Sequence, residues 1–214
     1  MEDVAVPAAR RRAVDIAAGG HFLAARLHVP RRAQGLVLMA DRRGDSELPD
    51  PVAAALHAAQ IATLELDLGE QVGSFEPASG TVVTSLADQV LVAADWVSAQ
   101  PELSALPLGI FGSEAAGGIA LAAAARRPGM FRAVVTKAGR PELALGPSDI
   151  HSATLLLVAG HDDPALLVNQ EAMARVRGIA ELEILPGPAD SLEEGPALAH
   201  VARITRRWFA RFLS

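Results

Sequence analysis

The feature that most constrains this chain is residues 106–121, LPLGIFGSEAAGGIAL. Leu106, Leu108, Ile110 and Phe111 make a short apolar run, and Gly112 opens the only gap before a long series of alanines and glycines. This order reads as a buried strand, a very tight turn and a small-residue helix. Glu114 is the only charged residue in the stretch, and it falls at the turn.

The rest of the chain repeats the strand-then-helix alternation. Residues 13–16 and 21–29 flank 17–20, whose Gly19-Gly20 pair predicts a hairpin turn, with Val14, Ile16, Phe22, Ala24, Arg26 and His28 marking the alternation. Residues 35–40 are a continuous apolar run, as in a strand covered on both faces. Pro51 opens a predicted helix to about Gln60, with Asp50 as its N-cap. A strand over 61–68 precedes an irregular Gly- and Ser-containing segment, 69–80, long enough to border a site. Apolar residues at 86, 90, 91, 93, 94 and 97 predict an amphipathic helix over 86–98. Further strands are expected at 131–138, 153–160 and 181–185, with a helix after residues 161–164 to about Val176 and another at 197–213. Val201, Ile204, Trp208, Phe209 and Phe212 form the stripe of the closing helix. The expectation is one α/β domain over 1–214: a mostly parallel, doubly wound sheet with an N-terminal antiparallel hairpin and helices on both faces.

Composition narrows the function classes. The chain has 214 residues, half of them hydrophobic, which is enough for one domain with a large core. The formal net charge of -6 and pI near 5.5 argue against a nucleic-acid partner. Arg10, Arg11 and Arg12 are too few to make a basic patch and read as a solvated face. With no cysteine, disulfides and thiolate metal sites are excluded. The acidic start lacks the order of a signal peptide, and no apolar run approaches about 18 residues. A soluble, cytoplasmic protein without cofactor, metal or membrane partner is expected.

The strand, turn and helix of 106–121 have the layout of a nucleophile elbow, in which G-x-S-x-G presents a serine at the top of a sheet. Counting from Gly112, the apex is Glu114 and the closing glycine position is Ala116. Over about residues 10–213 the chain resembles the dienelactone-hydrolase-like branch of the α/β-hydrolase superfamily, and within it the small hydrolases that also occur fused to phosphoribosyltransferase domains. The resemblance is carried by 109–112, by 132–135 with 139–144, by 155–162 and 182–187, and by the tail with Glu193, Glu194, Val201, Ala202, Trp208 and Phe209. It implies an α/β-hydrolase fold and a Ser- or Cys-His-Asp site with two oxyanion-binding N–H groups.

Carried over position by position, that site is altered. The nucleophile station is Glu114, and the histidine station is Asp190. The acid station is kept as Asp162, with Asp163 beside it. The oxyanion positions are Asp41 and Arg42, where the family has His-Gly, and Ala115 after the apex. Ser113 precedes the apex and should point away from it, and none of the histidines 21, 28, 57, 151, 161 and 200 stands where the base belongs. A working serine triad is therefore not expected, nor is a carboxylate nucleophile that lacks a histidine to activate water. Two readings follow. One is a non-hydrolytic scaffold with a degenerate triad, binding a homodimer mate or a partner protein, its Glu114 paired to Arg42, Arg43 or Arg140. The alternative is an enzyme using a carboxylate pocket of Glu114, Asp162 and Asp190, joined by Asp41, for acid–base or atypical hydrolase chemistry on a small molecule.

Overall fold

The computed structural model describes residues 10–41, 50–68, 80–144, 150–188, 192 and 194–214. In chain order these form β1 (Arg10–Ala18), β2 (His21–Val29), β3 (Gly35–Asp41), α1 (Pro51–Ala58), β4 (Ile61–Asp67), α2 (Gly80–Ala99), β5 (Leu108–Ser113), α3 (Glu114–Arg126) and β6 (Phe131–Lys137). A short 3₁₀ turn (Pro141–Ala144), β7 (Ala153–Ala159), α4 (Asp163–Met173), β8 (Ala180–Leu185) and α5 (Gly195–Phe212) complete them. All eight strands lie in one sheet in the order β1-β2-β4-β3-β5-β6-β7-β8. β1 pairs with β2 and β2 with β4 antiparallel, and every other pairing is parallel. The doubly wound sheet and antiparallel hairpin expected from the sequence are both present.

The central strands are apolar on both faces because helices cover both. Val37, Phe111, Val135 and Leu155 pack with Leu56 of α1 and with Val201 and Phe209 of α5. Leu38, Ile110, Val134 and Leu156 pack with Leu86 and Val90 of α2, Ile119 of α3 and Ala172 of α4. The side-chain period of 2 thus sends alternate residues of each strand into two separate cores. α5 docks through its predicted stripe, and the buried Trp208 indole donates from Nε1 to the Ala153 carbonyl at 3.2 Å.

Several local expectations hold, and others are corrected. Asp50 caps α1, its carboxylate accepting from the Val52 N–H at 2.7 Å. The hairpin buries the other face of β2: Leu23, Ala25 and Leu27 are inside, while Phe22 is 73% exposed. The three arginines are solvated as expected, but they begin β1, where Arg10 pairs with Val29 across the hairpin. α2 starts six residues before its predicted N-terminus, and Gly80 belongs to it; residues 69–79 lie outside the described residues. α2 also carries an 18-residue window, Val82–Ala99, that is long and apolar enough by composition to cross a membrane, contrary to expectation. Its apolar character serves the core, where Leu86, Val90, Ala94 and Val97 are fully buried.

Candidate functional site

The C-terminal rim of the parallel sheet is where the strand ends feed the helices, and ligands of open α/β sheets bind there. β5 is buried along its whole length and ends at Ser113 in extended conformation (φ -109°, ψ 150°). The next residue, Glu114, has φ +49° and is the first residue of α3. A left-handed non-glycine residue costs about 1–2 kcal/mol, so the turn must be imposed by its surroundings. Gly112 is part of that frame: a Cβ there would lie 2.3 Å from the Ala116 carbonyl oxygen. Gly117 is another part, since a Cβ there would meet the Gly139 Cα at 2.8 Å. The elbow read from the sequence is formed, with Ala116 fully buried at the closing position.

Glu114 stands at the apex with an exposed side chain. Among the described residues its carboxylate has no hydrogen-bond or ion-pair partner. The pairing to Arg140 expected of a silent scaffold is not made. The Arg140 guanidinium bonds Glu142 at 2.9 Å, and only its backbone N–H reaches Glu114, donating to the carbonyl at 3.1 Å. Arg42 and Arg43 lie outside the described residues. Ser113 is buried and is the register partner of Lys137.

The other stations are only partly assembled. Asp162 follows β7 as predicted, two strands away from the elbow, a separation of about 10 Å at ordinary strand spacing. Its carboxylate caps α4, accepting from the Ala165 N–H at 3.1 Å. The sequence keeps it as the acid station, and in the fold one of its oxygens also serves the local helix start. Asp163 is exposed in the first turn of the same helix. Ala115 lies in the first turn of α3, where N–H groups have no intrahelical acceptor, as an oxyanion donor requires. Asp41 ends β3 in register with Asp67 of β4. Arg42 and Asp190 lie outside the described residues. Among the described residues no group of three or more His, Asp and Glu side chains could hold a metal ion.

β6 lies between the strands that carry the two acidic stations. Lys137 ends this strand in register with Ser113 and is 5% exposed. Ala138 then turns the chain with φ +47°, so adjacent strands β5 and β6 both leave the sheet through a left-handed non-glycine residue. Such strain clusters at functional sites. Lys137 is the only lysine of the chain.

Two other features lie away from this rim. An open groove of about 400 Å³, lined by Ser98, Leu106, Arg127 and Arg132 among others, sits at the opposite end of β5. His28 and His57 stack with ring centroids 3.6 Å apart on the hairpin side of the sheet. The remaining histidine near the rim, His161, is exposed beside Asp162.

The geometry has clear relatives. No family model matches the chain. Two curated proteins from Mycobacterium tuberculosis strains, each named as a candidate phosphoribosyl transferase, are 35% identical over 98% of this chain. The chain spans about half the length of these curated relatives, 48% in each case. Est1E from Butyrivibrio proteoclasticus shares the fold at a TM-score of 0.71 and 15% identity, over 93% of this chain and 98% of its own. The crystal structure of dienelactone hydrolase from Anabaena variabilis matches at a TM-score of 0.84 and 33% identity, covering 97% of this chain and 100% of that one. With the elbow, the strand order and this full-length match in agreement, the chain belongs to the dienelactone hydrolase family of the α/β-hydrolase fold.

Proposed function

We propose that this protein is a soluble, cytoplasmic member of the family that does not work as a serine esterase. Its elbow carboxylate acts instead as a general acid or base on a small molecule, with Asp162 and Asp190 as the accompanying carboxylates. The observation that carries this reading is Glu114: a left-handed, strained residue whose carboxylate is exposed and makes no ion pair among the described residues. Strain of about 1–3 kcal/mol persists where the surroundings over-determine it, and functional sites are where that recurs. A charged side chain held there without a partner is available to a ligand.

The silent scaffold is the second reading, with a homodimer mate or a partner protein as its user. It is favoured by Asp162, whose carboxylate is engaged as a helix cap. Phosphoribosyl transfer belongs to the names of relatives twice as long, and the half they share with this chain is the hydrolase-fold half.

A paired assay of the wild type and Glu114→Gln separates the readings. The panel contains activated esters, lactones and their unsaturated isomers, with and without divalent metal ions. The acid–base reading expects isomerisation or proton exchange that falls by about 10²-fold or more in the variant, the usual size of a lost general acid or base. Equal behaviour of the two proteins would favour the scaffold.

A further inference from the structure

At the end of the sheet away from the elbow, β5 and β6 fall out of step. Leu108 pairs with Phe131, but the next residue, Gly109, pairs with Ala133, so Arg132 is one residue too many for the strand beside it. On the other side, the register of β6 with β7 starts only at Ala133. Burial records the same break. Phe131 and Ala133 stand two apart, which in a regular strand puts both on one face. Yet Phe131 joins the core covered by α2 and α3, and Ala133 the core covered by α5. Arg132 is squeezed out of both cores and left exposed. Bulges are uncommon in parallel pairs, and their effect is to re-aim a side chain. Here the re-aimed side chain lines the open groove of about 400 Å³.

The charges around this groove are not balanced. Two helices end beside it, α2 at Ala99 and α3 at Arg126, and the partial negative charge of helix C-termini attracts cations. Arg126 and Arg127 answer that charge, and each also meets a carboxylate of α2. Arg126 pairs with Asp88 at 2.7 Å, and Arg127 pairs with Asp95. Arg132 is on no helix, and among the described residues its guanidinium has no carboxylate or other acceptor. The hydroxyl protons of the groove are already committed: Ser98 donates to the Ala94 carbonyl at 3.0 Å and Ser104 to the Pro101 carbonyl at 3.4 Å. The remaining walls are largely apolar, from Leu106, Pro107, Leu108, Pro128 and Met130. The groove thus combines one surplus guanidinium with an apolar lining.

We propose that this groove binds a small organic oxyanion, a carboxylate or phosphate carried on an apolar body. Arg132 holds the oxyanion, because the planar fork of a guanidinium matches two oxygens of either group. The leucine and proline walls hold the body. The volume is sufficient, since small-molecule sites run from about 300 Å³ upward. The site is independent of the reading of Glu114. The six residues of β5 separate the groove from the elbow, a distance of about 20 Å at ordinary strand rise. Binding alone is proposed, with no bond made or broken.

The test follows the backbone amides of the ¹⁵N-labelled full chain by NMR as phenyl phosphate, benzoate or inorganic phosphate is added. The two organic probes should move the amides of Gly129, Met130 and Arg132 and leave those of Ala115 and Ala116 in place. Inorganic phosphate, which lacks the apolar body, should bind about 10-fold more weakly than phenyl phosphate, or weaker still. Arg132→Gln should weaken binding of the organic probes about 10- to 100-fold, the usual loss for a hydrogen bond to a charged group. Arg132→Lys keeps the charge without the fork and should fall in between. Ser104 is exposed and lines the groove, so Ser104→Trp fills the space and should abolish binding with Arg132 intact. Unchanged affinity in Arg132→Gln would overturn the proposal, as would shifts centred on the elbow or no shifts at millimolar organic probe. Equal binding of inorganic phosphate would mean an adventitious ion only. Binding that survives Ser104→Trp would put the anion outside the groove and overturn the proposal even if the Arg132 variants fail to fold. Glu114→Gln should bind as the wild type does, which keeps this result separate from the elbow assay.

Discussion

Two clusters of ionisable groups in this molecule are handled in opposite ways. On the hairpin side, His28 and His57 stack at 3.6 Å with their planes 11° apart. Arg11 donates from Nε to His28 Nδ1 at 2.7 Å, and His57 Nε2 lies 2.8 Å from Thr63 Oγ1. Burial, then His28 and Arg11, push the His57 pKa down to about 4, and burial and Arg11 lower that of His28. At the elbow the side chain of Glu114 is left open, while the backbone beneath it is strained. The hairpin cluster is satisfied and neutral, and its job is packing. The elbow holds a carboxylate with no partner among the described residues on a costly backbone, which is the pattern of a site rather than of a support.

The comparison can be broken most forcefully at Gly112. A methyl group there meets the Ala116 carbonyl, so Gly112→Ala should destabilise by roughly 3 kcal/mol, a fall of roughly 10 °C in Tm for a domain of this size. Thermal unfolding with loss of less than 1 °C would mean that the elbow backbone is not rigidly held. The hairpin cluster is sharpened by pH. The folded His57 pKa lies below its unfolded value, so the unfolded chain binds the proton first and stability falls with falling pH. The window runs from about 6.5 down to about 4, and below it His57 contributes no further loss. Solvent screening of a half-buried pair limits the loss to roughly 1–2 kcal/mol. Denaturant unfolding across that window should lose this slope in His57→Gln. If the slope is unchanged there, the stacked pair is not its source.

The smallest effect has the opposite sign. Glu114→Gly relieves the left-handed strain but loosens the unfolded chain, for a net stabilisation of about 0.5–1 kcal/mol. A destabilised variant would show that the glutamate side chain contributes structure, and the contrast between the two clusters would weaken.

Much of the elbow was legible because its constraints are local. Small residues at 112, 115, 116 and 117 permit close approach, and a glutamate among them identifies the apex. The helix cap at Asp50 was legible for the same reason, since it acts two residues away. The missed start of α2 is masked by Gly80, Thr81, Thr84 and Ser85, although Val83 is buried in step with Leu86, Ala87 and Val90. The missed start of β1 has another cause: backbone pairing with β2 recruits the exposed arginines regardless of their side chains.

Asp162 shows that a position readable from the sequence gains a local structural task in the fold. Its place after β7 was readable, but its carboxylate serves the helix that begins at the next residue. From the sequence, Lys137 is simply part of the strand expected at 131–138. Its burial depends on strand order, which sets it beside Ser113, 24 positions earlier in the chain.

The sequence by itself determined the alternation of strands and helices, the position of the tight turn and the substitution of glutamate at its apex. These follow from periodicity and from the steric demands of a few adjacent residues. Only the tertiary structure decided which face of the hairpin is buried, that a lone lysine is buried, that Asp162 is a cap, and that two histidines 29 residues apart stack into a neutral pair. Those outcomes depend on register between distant strands and on which helix covers which face. No local pattern encodes that, because the free energy that selects it comes from burial shared across the whole sheet.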